Sequence, residues 1–140
     1  MNNPSGITKE RRLILARILI VDDEPSICTF LSDIVKKMNH LPLTAANGKE
    51  ALDTFRKETI DLSIVDIKMP EMDGIEYLGR VKKLDPHAVV IIMTGYPSAE
   101  TIIETIEEDG YTYIAKPLEV NRIMDLIERG LAFREGYFRD

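Results

Sequence analysis

The chain is a succession of short apolar runs separated by amphipathic stretches. Ile18-Leu19-Ile20-Val21 is continuously apolar, the mark of a strand buried on both faces. Pro25 suits the first turn of a helix, and Ile27, Phe30, Leu31, Ile34 and Met38 follow at helical spacing. Leu41 to Ala45 is a second, weaker strand. Asn47, three residues before Glu50, predicts a capped helix whose apolar face is Ala51, Leu52 and Phe55. Leu62-Ser63-Ile64-Val65 is a third strand, and it ends at Asp66. Pro70 and Gly74 forbid a long helix or a continued strand just beyond, so a loop follows. Asp73 or Gly74 opens a helix that turns Ile75, Leu78 and Val81 inward. Ala88 to Met93, nearly all β-branched, is the strongest strand signal and ends in Thr94-Gly95. Ser98 caps a fourth predicted helix, with Ile102, Ile103 and Ile106, which stops at Gly110. Tyr111 to Ala115 is a fifth strand, ending in Lys116-Pro117. A last helix from Glu119 buries Ile123, Leu126, Ile127 and Leu131.

Strand and helix alternate five times, which predicts parallel strands joined by right-handed helical crossovers. The expected fold is a doubly wound α/β sandwich. A length of 140 residues suits one domain with a core that needs no disulfide or structural metal. The expected boundaries are an N-terminal extension over 1–16, the domain over 17–133 and a C-terminal tail over 134–140. No apolar run approaches the roughly 20 residues of a membrane span, and Arg17 cuts the run Leu13-Ile14-Leu15-Ala16 too short for a secretory signal. Cys28 is the one cysteine, so the natural setting is a reducing cytoplasm. A net charge of −6 argues against nucleic acid as a direct partner, since phosphate contacts need a surplus of Lys and Arg.

The chemistry gathers at strand ends. Asp22 and Asp23 follow the first strand, Asp66 ends the third, Thr94 the fourth, and Lys116 follows the fifth. In a parallel sheet these carboxyl ends share one edge, where α/β proteins place their ligands. Three carboxylates in one crevice repel one another and call for a counter-charge. A hard divalent cation with oxygen ligands, Mg²⁺ for preference, supplies it, with Asp23 and Asp66 as ligands and Asp22 helping directly or through water. An aspartate can attack phosphorus to form an acyl phosphate, so Asp66 is the expected nucleophile. Phosphoryl transfer is mostly positioning and charge stabilisation, which Mg²⁺, the Lys116 ammonium and the Thr94 hydroxyl can share among the phosphoryl oxygens. Lys116-Pro117 is a candidate cis peptide.

Four segments carry a resemblance: Ile18-Leu19-Ile20-Val21-Asp22-Asp23-Glu24-Pro25, Val65-Asp66-Ile67-Lys68-Met69-Pro70-Glu71-Met72-Asp73-Gly74, Met93-Thr94-Gly95-Tyr96 and Tyr113-Ile114-Ala115-Lys116-Pro117. In this order the chain resembles the receiver domain of two-component response regulators, from about Arg17 to Phe133. The resemblance implies a flavodoxin-like five-stranded sheet of order 2-1-3-4-5. It implies that Asp66 takes a phosphoryl group from a histidine kinase or phosphotransfer protein, and that the backbone carbonyl of Lys68 joins the Mg²⁺ ligands. Thr94 and Tyr113 would be the switch pair, read out through the fourth helix, fifth strand and fifth helix. Such a domain is a phosphoacceptor switch rather than an enzyme in the ordinary sense, catalysing only its own phosphorylation and dephosphorylation. A dimer formed on phosphorylation through the readout face stays open.

Two departures fall on that face: Asp109-Gly110 where Gly-Ala is common, and Thr105 where a small Ala is common. The output is either contact with a downstream protein or a fused effector domain, in which case this is the receiver part of a longer transcriptional regulator. An aspartyl-phosphate phosphatase of the haloacid dehalogenase kind is a further alternative, but its nucleophile follows the first strand in an Asp-x-Asp pattern that Asp22-Asp23-Glu24 lacks. Other polar residues read as structural: Asp73 as a helix cap, Glu24 as a first-turn acid favoured by the helix dipole, His40 and His87 as solvated loop residues.

Overall fold

The computed structural model describes residues 16–95 and 112–137. The described strands are β1 (Arg17–Val21), β2 (Leu41–Ala45), β3 (Leu62–Asp66), β4 (Val90–Thr94) and β5 (Thr112–Ala115). The described helices are α1 (Pro25–Lys37), α2 (Gly48–Lys57), α3 (Gly74–Leu84) and α4 (Val120–Tyr137). All strand pairs are parallel, and the sheet runs β2-β1-β3-β4-β5, the flavodoxin-like order.

Alternation along each strand divides the core in two. Leu19, Val21, Val65, Val90 and Ile92 face α2 and α3, where they meet Ala51, Leu52, Leu78 and Val81. Ile18, Ile20, Leu62, Ile64, Ile91 and Met93 face α1 and α4, where they meet Leu31, Ile34, Val35, Ile123, Leu126 and Ile127. Burial on both faces explains why β1 and β4 read as unbroken apolar runs and why β3 is apolar but for Ser63 and the terminal Asp66. The helix starts follow the expected local chemistry. Asn47 Oδ1 accepts the Glu50 N–H at 2.9 Å, Asp73 Oδ1 accepts the Glu76 N–H at 2.8 Å, and Pro25 lies in the first turn of α1.

Several details differ from the periodicity. Val35 and Tyr77 are fully buried although neither belongs to the expected stripes. Tyr77 can be buried because its hydroxyl lies 2.9 Å from Ser63 Oγ, which satisfies both groups inside the core. Burial drives the Tyr77 phenol well above its ordinary pKa, so it stays neutral. The strand β4 starts at Val90 rather than Ala88 and runs on to Thr94. His40 is not a solvated residue: it is half-buried and its Nδ1 accepts the Ala16 N–H at 3.3 Å. Removal from water lowers its pKa, against the pull of Asp61 and Glu128. His87 is half-buried too, donating its N–H to Asp85 Oδ1 at 2.9 Å.

The residues from 134, expected as a tail, continue α4 through Tyr137. Arg134 is largely buried, with Nε 3.4 Å from Asp61 Oδ1. Its Nη1 donates to both Asp85 Oδ2 and the His87 carbonyl, each at 2.9 Å. The fourth predicted helix with Ser98, Thr105, Asp109 and Gly110, together with Tyr96 and Tyr111, lies outside the described residues.

Candidate functional site

Strand register brings the expected polar residues to one edge. Val21 pairs with Val65, Asp66 with Met93 and Thr94 with Ala115, so the residues at the strand ends are neighbours across the sheet. The ladder continues briefly past the strands through Asp22 N to Ala45 O (3.2 Å), Ile67 N to Met93 O (2.9 Å) and Lys116 N to Thr94 O (2.8 Å). These bonds fix the backbones from which the side chains project.

One oxygen each of Asp22, Asp23 and Asp66 lies within 4.8 Å of the others. Asp22 is 1% exposed and Asp66 8%, whereas Asp23 is open to solvent. The Lys116 ammonium stands between the two buried carboxylates, 3.5 Å from Asp22 Oδ2 and 3.6 Å from Asp66 Oδ2. Asp22 Oδ1 accepts the Glu24 N–H at 2.9 Å, and Asp66 Oδ1 accepts the Lys68 N–H in a long 3.4 Å contact. Asp22 Oδ2 is fully buried and, with the lysine charge 3.5 Å away, makes no hydrogen bond among the described residues. Three carboxylates against one ammonium, with a buried oxygen short of a donor, fit a hard cation with oxygen ligands.

Thr94 is buried at the end of β4, and its carbonyl anchors the Lys116 amide. Tyr113 lies on β5, half-buried against the core that faces α2 and α3. The Lys116-Pro117 bond is cis. Gly74 shows how tightly the site is built from below. A Cβ there would lie 2.9 Å from the Asp66 carbonyl oxygen and 3.0 Å from Ile67 Cα, while its amide donates to Ile67 O at 3.0 Å. The Asp-Gly pair after the proline loop is the sequence signal for this approach, although its cause is tertiary. Cys28 had no such signal. Its thiol donates to the Asp22 carbonyl at 3.4 Å, and burial and then the Asp22 charge push its pKa up, so it is an inert neighbour of the site.

Burial raises the Asp66 pKa; Lys116 pulls it back, the Asp22 charge pushes it up, and the Lys68 amide lowers it. A carboxyl group held above its unfolded value costs stability whenever it is ionised. That cost is complete above the folded-state pKa and disappears as pH falls through it towards the unfolded value. In chelator at neutral pH, Asp66→Asn is therefore expected to be more stable than the wild type, with the gap closing as pH enters the ordinary carboxylate range. Urea unfolding across a pH series measures this, and a gap that widened towards acid would contradict the assignment.

Among the described residues no helix is long and apolar enough to cross a membrane. A family profile described as the response regulator receiver domain matches residues 18–128. Sporulation initiation phosphotransferase F of Bacillus subtilis is 41% identical over 120 residues, covering 86% of this chain and 97% of that protein. Transcriptional regulatory protein ZraR of Escherichia coli is 37% identical over 115 residues, covering 82% of this chain but only 26% of that protein. Among solved structures, the response regulator protein TrrA of Thermotoga maritima in complex with Mg²⁺ and BeF superposes with a TM-score of 0.75 at 31% identity. That match covers 83% of this chain and 99% of the other. With sheet order, the acidic edge and these matches in agreement, the chain belongs to the response regulator receiver domains, the phosphoacceptor signalling modules of two-component systems.

Proposed function

We propose that Asp66 is the phosphoacceptor of this receiver, with a histidine kinase or phosphotransfer protein of the cytoplasm as donor. The observation that carries the reading is the position of Asp66 between two kinds of charge. Lys116 lies 3.6 Å from one of its oxygens, and one carboxylate oxygen each of Asp22 and Asp23 lies within 4.8 Å of an Asp66 oxygen. In the reaction an Asp66 carboxylate oxygen bonds to phosphorus and the bond from phosphorus to the donor imidazole breaks. The electron pair leaves with the nitrogen, and an acyl phosphate remains.

Asp22, Asp23, Asp66 and the Lys68 carbonyl would hold Mg²⁺, which, when bound, neutralises charge on the transferring phosphoryl group. Lys116 screens a further oxygen, and its tether to the Thr94 carbonyl holds it at the site. The Thr94 hydroxyl is the natural donor to the remaining oxygen. Its movement towards the phosphoryl group frees space for the half-buried ring of Tyr113, and the change of surface is the output. The chain acts as a switch, its own chemistry being limited to gaining and losing one phosphoryl group.

The coverage of only 26% of ZraR favours a second reading of the output, in which such a receiver governs a fused effector rather than a separate protein. Both readings share the chemistry at Asp66. Intact mass after incubation with phosphoramidate tests that chemistry: one phosphoryl group is expected with Mg²⁺ and none in chelator. An unmodified mass under both conditions would remove the reading.

A further inference from the structure

The loop between Asp66 and α3 carries the Lys68 backbone, and contacts at its ends, middle and tip hold it. At its start the Ile67 N–H bonds to the Met93 carbonyl on β4. At its end the Gly74 N–H bonds to the Ile67 carbonyl, closing the loop on itself. In between, Met69 is buried in the core. A further contact lies at the tip. There Glu71 has φ of 69°, a left-handed conformation that a residue with a side chain keeps only where its surroundings enforce it, and the Met72 N–H bonds to the Pro70 carbonyl at 2.7 Å.

What enforces the tip is the first residue of a different helix. The Met72 side chain lies across Gly48, which opens α2 directly after its cap Asn47. A Cβ on Gly48 would meet Met72 Sδ at 2.9 Å and Met72 Cβ and Cγ at 3.0 Å each. Gly48 does not have the left-handed φ that would call for glycine, so close approach is the reason for its missing side chain. One of the three atoms it meets is Met72 Cβ, which cannot swing aside without the backbone of the loop. Pro70, Glu71, Met72 and Asn47 also border a groove of about 400 Å³.

We infer that Gly48 and Met72 are positioning residues for phosphoryl transfer: α2 seats the tip of the loop, and the seat sets the Lys68 backbone against Asp66. This rests on Asp66 being the phosphoacceptor. Neither residue touches the carboxylates. Their effect runs through the short path from Met72 to Lys68, with Asp66 Oδ1 at 3.4 Å from the Lys68 amide.

The test compares wild type, Gly48→Ala, Met72→Ala and the double variant, as full chains, each checked by thermal melting. Two readouts are used: affinity for Mg²⁺ alone by calorimetry, with the Lys68 amide followed by NMR, and the rate of labelling by phosphoramidate. Gly48→Ala is expected to weaken Mg²⁺ binding and slow labelling by about three- to tenfold while shifting the Lys68 amide. Met72→Ala loosens the same loop and moves both readouts in the same direction. In the double variant the contacts with Sδ and Cγ are gone and only the Cβ contact remains, so part of the Gly48→Ala loss is recovered, a non-additivity that general destabilisation does not produce. Wild-type behaviour of both single variants, or strictly additive losses in the double variant, would overturn the inference. If Gly48→Ala fails to fold, Met72→Ala decides alone: an unchanged Lys68 amide and Mg²⁺ affinity overturn it. A wild-type protein that neither binds Mg²⁺ nor takes up phosphoryl would instead remove the reading on which the inference rests.

Discussion

Asp66→Asn is expected to take up no phosphoryl group from phosphoramidate under conditions that label the wild type completely. Asparagine keeps the shape of the side chain and the contact from the Lys68 amide, but it has no carboxylate to attack phosphorus. Removing a nucleophile from an assembled site costs on the order of a million-fold, far below what intact mass detects. The neighbouring carboxylates do not replace it. Asp22 is 1% exposed, with one oxygen engaged by the Glu24 amide and the other facing Lys116. Asp23 is exposed but lies away from the ammonium contacts that Asp22 and Asp66 share. Intact mass with peptide mapping is the check, and an adduct of equal yield on the variant would transfer the acceptor role to another residue.

Lys116→Met should slow labelling by roughly 10²–10³-fold, the usual consequence of removing one preorganised charge from a site where negative charge develops. Methionine keeps most of the length and apolar volume of the lysine, so the loss isolates the ammonium. The same change leaves Asp22 and Asp66 without their shared cation. In chelator at neutral pH, stability should fall by about 2 kcal/mol. That is less than for a fully enclosed pair, because a quarter of the Lys116 side chain meets solvent. The part of the loss that comes from Asp66 should fade in acid, as that carboxylate takes up a proton. Rapid-quench labelling and urea unfolding measure the two effects, and a variant that labels at the wild-type rate would show that the ammonium does not act on the phosphoryl group.

The order of elements and the acidic edge were legible because each rests on local pattern. A strand buried on both faces must read as an apolar run, and Ile18–Val21 and Val90–Met93 do. A residue just after such a run must lie on the carboxyl edge, so the side chains of the site could be chosen before their distances were known. What was not legible depends on partners far along the chain. Tyr77 reads as a poor core residue until Ser63, on another element, supplies a partner for its hydroxyl. His40 reads as solvated until the Ala16 amide reaches its ring. Arg134 reads as tail because the apolar period fades after Leu131, and what holds it are polar groups 47 and 49 residues earlier. The burial of Asp22 against the exposure of Asp23 is of the same kind, since both carboxylates reach the same site and only the packing around them decides which is closed off.

The Arg134 contacts have a mechanical consequence. Asp61 immediately precedes β3, and Asp85 and His87 precede β4, so one guanidinium grips the chain just before both strands. Those strands end, at the opposite edge, in Asp66 and Thr94. A torque applied near the end of α4 is thus delivered to the roots of the two strands whose tips form the site. That end of the helix is coupled like a crank handle to the sheet, through the guanidinium that joins it to both strand roots.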